Sequence, residues 1–197
     1  MPHSEVHLVN MALIRLGQRR ITDLTENTSR AILANELYPG VRDEVLTDHP
    51  WNSAVKRVSL PKLAAAPEWG FDAAFQLPGD WLALHKLELE DTRWRIERRT
   101  ILADTDPLNV AYIFRLTDVG AMDELLKQAI SSKLALELSL PLTGDVSKQN
   151  AMAQLYTEAL GRARFKDSQQ APPLDQVASS TWLAGRDVVE PDLRISY

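Results

Sequence analysis

Apolar residues return every three or four positions over residues 4–16. Val6, Val9, Leu13 and Leu16 form the stripe, widened by Leu8 and Ala12. That spacing predicts a first helix. Ser4 stands where an N-cap is needed and Gly17 where a left-handed residue ends a helix at little cost. Residues 28–57 form the stretch on which the rest of the chain is organised. Ala31, Ala34, Leu37, Tyr38, Val41 and Val45 share one helical face, while Arg42, Asp43 and Glu44 fall on the outer one. Asn27, Thr28 or Ser29 supplies the cap. Pro39 and Gly40 interrupt the pattern and predict two helical halves with a kink between them. Pro50 stops the helix, and Trp51 directly after it is expected to fold back as a core anchor.

The period then changes. Ala54 to Leu60 reads as an extended, basic segment. Short alternating runs follow at residues 73–77, 82–89, 94–99, 101–102 and 110–115, separated by turn signals such as Pro78-Gly79-Asp80 and Glu90-Asp91. They predict one small antiparallel sheet inserted between helices. Residues 64–70 read as an exposed loop with Trp69 held down. Helical spacing returns with Leu126, Ala129, Ile130, Lys133, Leu134 and Leu138, capped by Asp118 or Asp123 and ended by Pro141. A fourth helix is expected over residues 147–165, with Met152, Leu155, Tyr156, Ala159 and Ala163 inward. The connection between these two helices is so short that they must lie antiparallel.

From residue 168 onward the texture is polar, proline-bearing and aperiodic, as in a linker or extended arm. Yet Trp182, Leu183 and Arg186 put an aromatic, an aliphatic and a charge on it, the residue types that anchor interfaces. The expected fold is therefore mainly α. It is an antiparallel bundle of about four helices over residues 1–167, with a β insertion at about 54–116 and a C-terminal arm over 168–197.

Composition narrows the classes. The chain has 197 residues, 45% hydrophobic, enough for one cored domain. A net charge of -5 disfavours a nucleic-acid-coating role. The absence of cysteine excludes disulfides and thiolate metal sites. No apolar run approaches the roughly 20 residues of a membrane span, and the first ten residues carry no basic-then-apolar leader.

Candidate chemistry is sparse. His3 and His7 have the four-residue spacing of metal ligands, but a third ligand is not evident, and the pair reads as two surface histidines. His49 and His85 are single and read as structural or solvated. Glu88, Glu90 and Asp91 crowd one turn and form no catalytic pair. No phosphate loop or nucleophile motif is present, so the expectation is a protein that is not an enzyme and takes no cofactor or metal. Arg93, Arg95, Arg98 and Arg99 interleave with Trp94 as in a nucleic-acid platform. From Asp80 to Arg99, however, five acids balance five bases, which suits cross-strand ion pairs or a polar protein interface better.

The order of several short pieces carries a resemblance. They begin at Val9-Asn10 and Gly17, then Ile21-Thr22-Asp23-Leu24-Thr25-Glu26, Ala31, Tyr38, Arg42-Asp43, Leu46, Pro50-Trp51-Asn52, Ala54, Lys56-Arg57 and Leu60. They continue at Trp69-Gly70-Phe71, Phe75-Gln76-Leu77-Pro78-Gly79-Asp80, Ile101-Leu102, Tyr112-Ile113, Leu116-Thr117-Asp118, Leu140-Pro141-Leu142-Thr143-Gly144-Asp145 and Trp182 to Arg186. Together they resemble the tail tubular protein A family, the head-to-tail adaptor (connector) proteins of short-tailed bacteriophages and prophages. Ser53 departs from that pattern, which leads one to expect an aromatic there.

The resemblance implies structural anchors at Tyr38, Arg42, Pro50 and Trp51, and an arm that docks through Trp182, Leu183 and Arg186. It implies a virion protein of the tail neck, assembled in the host cytoplasm. Its partners would be the portal protein, the tail tube or nozzle protein, and its own copies in a dodecameric ring, with the free chain monomeric until the portal templates it. Genomic DNA would only pass through the lumen, and no membrane is involved. A net negative charge suits such a conduit, since acidic walls repel phosphates. Two other readings stand beside it: a non-virion helical interaction module or regulator, and a small DNA-binding protein.

Overall fold

Ser4 opens the first helix by accepting a hydrogen bond from the amide of His7. A computed structural model describes residues 4–89 and 92–170 of the chain. Helix α1 spans Glu5–Arg15 and α2 spans Ser29–Thr47, capped by Thr28. Six strands follow: β1 Val55–Leu60, β2 Ala73–Gln76, β3 Trp81–Leu87, β4 Trp94–Glu97, β5 Thr100–Ala103 and β6 Leu108–Phe114. Helices α3, Glu124–Thr143, and α4, Val146–Ser168, complete the described chain. The expectation of a mainly helical protein is corrected to a mixed one. Its described residues form four helices and two small antiparallel sheets.

The hub is α3, not the α2 stretch that leads in the sequence. It touches α1, α2 and α4, and ten of its residues are buried, including Lys127, Ser131, Ser132 and Ser139. A helix covered on nearly every side loses its polar stripe, and the three serines satisfy their hydroxyls on carbonyls one turn back in the same helix. Gly144, at φ 63°, and Asp145 alone separate α3 from α4, so the two helices run antiparallel. Asp145 caps α4 through the amides of Ser147 and Lys148.

Both helix-breaking prolines sit inside helices. Pro39 lies on the exposed side of an unbroken α2, where the carbonyl it leaves unpaired faces solvent, so the two predicted halves are one element. Pro141 falls in the last turn of α3, which runs on to Thr143 and is closed when the Gly144 amide bonds to the Leu140 carbonyl. Likewise α4 continues through Ser168, one residue into the expected arm.

The strands build two sheets where one was expected. The first has the order β1-β6-β3 and the second β2-β5-β4, all pairs antiparallel. Strand β6 connects two cores. Leu108, Val110 and Tyr112 join Phe75, Ile101 and Ala103 in a core between the sheets, while Ile113 belongs to the helical core. Successive side chains on a strand point to opposite faces, which is how one strand serves both. Trp81 stacks on Tyr112 at 5.0 Å between ring centres.

Candidate functional site

The last turn of α4 is fastened to the Pro50-Trp51-Asn52 step. Trp51 is fully buried and donates from Nε1 to the Val45 carbonyl at 2.9 Å, closing the end of α2 over itself. This ring is the expected core anchor, with half-buried Pro50 beside it. The His49 ring meets it edge-on at 4.8 Å. Asp167, itself buried, accepts from the Asn52 amide at 3.0 Å and stands 3.0 Å from His49 Nε2. A carboxylate only accepts, so Nε2 carries the proton. The Asn52 side-chain amide donates to the Asp167 carbonyl at 2.8 Å. Two further bonds run in parallel: Tyr156 Oη to Asp48 Oδ2 at 2.9 Å, and Arg164 Nη2 to the Asp48 carbonyl at 2.8 Å. Burial first, and then Asp48, push the Tyr156 hydroxyl's pKa up.

A second junction ties α2 to the segment entering α3. Arg42, expected on the outer face, is 5% exposed. Its Nε and Nη2 both reach Asp43 Oδ1, at 2.9 and 2.8 Å, and Asp43 Oδ2 accepts from Arg115 at 2.7 Å. Glu5 lies 3.8 Å from Arg42, whose guanidinium packs 5.9 Å from the Tyr38 ring centre. A guanidinium with its acids beside it can be buried, and hydrophobic periodicity alone does not show this. Tyr38 is buried as an anchor, and burial pushes its hydroxyl's pKa up.

Exposed apolar side chains also lie on and beside the second sheet. Trp69, expected to be held down, is 84% exposed, and Trp94 and Ile96 of β4 are about two-fifths exposed. Of the arginines around Trp94, Arg93 and Arg99 are engaged with neighbouring loops of the fold. Arg93 pairs with Asp104 at 2.7 Å, bonds the Gly70 carbonyl and covers the Phe71 ring at 4.8 Å. Arg95 lies 3.6 Å from Glu97, and Arg99 donates to the Pro78 carbonyl at 2.7 Å. Arg98, at φ 54°, makes the turn between β4 and β5.

A shallow hollow of about 550 Å³ lies on the first sheet, lined in part by Arg57, Ser59, Lys86, Glu88 and Asn109. Its charges are mixed, and Glu88 is already held by Asn109 at 2.6 Å. It brings no nucleophile to a base. Among the described residues no cluster of three or more His, Asp or Glu could hold a metal ion, and no helix is long and apolar enough to cross a membrane. His7 lies on α1, whereas His3 lies outside the described residues, as do the Glu90-Asp91 turn and the arm's Trp182, Leu183 and Arg186.

The residues that periodicity missed are His49, Asn52 and Asp167. The signal for Asp167 was present: it stands four positions after Ala163, itself four after Ala159, on the inward face of α4. No family model matches the chain, and no curated protein matches it.

Proposed function

We propose that this chain is a head-to-tail adaptor of a short-tailed bacteriophage or prophage. Copies of it would form a ring beneath the portal, join it to the tail tube or nozzle protein, and leave a lumen through which the genome passes. The reading rests on the ordered resemblance, several pieces of which fall within residues 28–57. What supports it most directly is the fastening of α4 to the Pro50-Trp51-Asn52 step of that piece. The step ties the first helices to the last one, so the chain leaves the body at Gln170 from a fixed point. In this reading residues 4–170 are a rigid body with a β insertion, and the remainder is an extended arm that docks on another chain through Trp182, Leu183 and Arg186.

Mixing the full chain with the portal protein encoded near it tests the proposal. Electron microscopy should show rings capping the portal. Deleting residues 171–197 spares α4 and should leave the helical circular dichroism intact while abolishing or strongly weakening ring incorporation. Trp182→Ala with Arg186→Ala should reproduce much of that loss. Separate elution of portal and full chain over a range of salt and concentration would overturn the reading.

A further inference from the structure

The two edges of the second sheet are treated differently. Along the outer side of β2, Lys62 bridges to Phe75 and the Leu63 amide bonds the Ala74 carbonyl at 2.8 Å, so that edge is closed. Strand β4 has β5 as its one ladder partner among the described residues. The Asp104 amide bonds the Arg93 carbonyl, so Arg93, Arg95 and Glu97 turn their backbone groups toward β5. By alternation, the amides and carbonyls of Trp94 and Ile96 point away from β5. An unpaired edge of this kind is a template for another strand.

The side chains along that edge specify what fits. Trp94 pairs with Ala103 and Ile96 with Ile101, both fully buried, so Trp94 and Ile96 extend the rows Ala73–Ala103–Trp94 and Phe75–Ile101–Ile96 past the rim of the core. On the opposite face stand Arg95 and Glu97. A complementary strand must therefore alternate apolar with polar and present a cation to Glu97.

We propose that the edge of β4 receives residues 192–197 from the arm of a second copy, paired antiparallel, with Ile195 opposite Ile96 and Tyr197 opposite Trp94. The segment reads Asp192-Leu193-Arg194-Ile195-Ser196-Tyr197, apolar at every second position. In this register Arg194 faces Glu97, Ser196 faces Arg95, and Asp192 falls beside the Arg98-Arg99 turn. Neighbouring registers are worse. A slip of one residue carries Arg194 onto the apolar face. Sliding by two so that Arg194 meets Arg95 also sets Asp192 against Glu97, like charge against like in both pairs. The 21 residues from Ala171 to Pro191 span up to about 70 Å when extended, against a body about 40 Å across. Such a spacer is long enough to reach β4 of a neighbouring copy. This rests on the adaptor reading in one respect: it chooses the adjacent adaptor copy as the arm's target.

The chain has no cysteine, so introduced thiols report without background. Arg95 and Ser196 would form a pair not hydrogen-bonded to each other, with Cα atoms close enough for a disulfide. Full-length Arg95→Cys mixed with full-length Ser196→Cys and oxidised should give a covalent dimer, with or without portal. Arg95→Cys mixed with Ile195→Cys, whose thiols lie on opposite faces, should give little. The proposal is overturned if no mixture cross-links, or if both residue-195 and residue-196 thiols cross-link equally. It is also overturned if the chain carrying both Arg95→Cys and Ser196→Cys closes on itself as a monomer. Rings on the portal without the cross-link would sink this proposal alone, whereas a cross-link without portal binding would sink the adaptor reading alone.

Discussion

His49 Nε2 lies 3.0 Å from Asp167 Oδ2, with 118 positions between the two residues in the chain. Together with the Asn52 amide on the same carboxylate, this makes Asp167 the acceptor on which the closure of the helical layer turns. Asp167→Ala would leave the Asn52 amide and a half-buried imidazole without their acceptor. The expected loss is about 2–4 kcal/mol. For a chain of this size that lowers the melting midpoint by roughly 5–15 °C. A shift under two degrees by calorimetry would show that solvent replaces the carboxylate freely.

Trp51 combines two contributions that can be separated. Trp51→Ala removes a fully buried ring and should cost about 3–5 kcal/mol. Trp51→Phe keeps most of the apolar volume but leaves the Val45 carbonyl without its donor, and should cost about 1–3 kcal/mol. Urea midpoints of the two variants should fall in that order; a Trp51→Phe midpoint equal to the parent's would mean that packing alone holds the ring, and equal losses that the hydrogen bond dominates.

Pro39 is a stability deficit in an otherwise regular helix. Its side chain is exposed, so Pro39→Ala restores an amide donor and removes a ring clash without touching the core. The expected gain is about 1–3 kcal/mol, read as a higher melting midpoint. A lower midpoint would show that Pro39 itself is needed for the packing of α2 on α3.

Asp80 links β3 to β6 and β1, and titration should reveal it. The Lys56 ammonium at 2.5 Å, joined by the Tyr112 hydroxyl at 2.9 Å, holds its carboxyl below the ordinary carboxylate range against the opposing effect of burial. Burial first, and then the same carboxylate, push the Tyr112 hydroxyl up to about 12. A carboxylate with a depressed folded pKa contributes stability above its unfolded value of about 4, and that contribution is lost as pH falls below it. Asp80→Asn should therefore flatten the decline in denaturant midpoint between pH 5 and pH 2, leaving other acid-sensitive groups in place. The effect is modest because the pair is partly solvated. Parallel acid profiles for parent and variant would remove Asp80 from that account.

The sequence made the local elements legible and left their assembly obscure. Ser4, Thr28, Asp123 and Asp145 announce helix starts, because a cap is a contact within a few residues of itself. Trp51 was readable because one large apolar ring after a helix-stopping proline has few other places to go. Arg42 was not, since its burial depends on Asp43 being held in turn by Arg115, 72 positions from Asp43. The second sheet was hidden for a related reason: alternation names strands but not partners, and β5 pairs on both sides within residues 73–103 while β6 reaches back to β1. Trp69 was misread because size favours burial on average, while its loop gives it no facing element.

The Asp167 fastening also has a mechanical meaning. If the chain beyond Gln170 is pulled, the load enters the body at the end of α4. There it meets the bonds to Asn52 and His49 before it reaches the long seam between α3 and α4. Those bonds work as a strain relief, like the clamp where a cable enters its housing. Tension would then pass by way of Asn52 to the buried Trp51, and these bonds would oppose the peeling of the last helix.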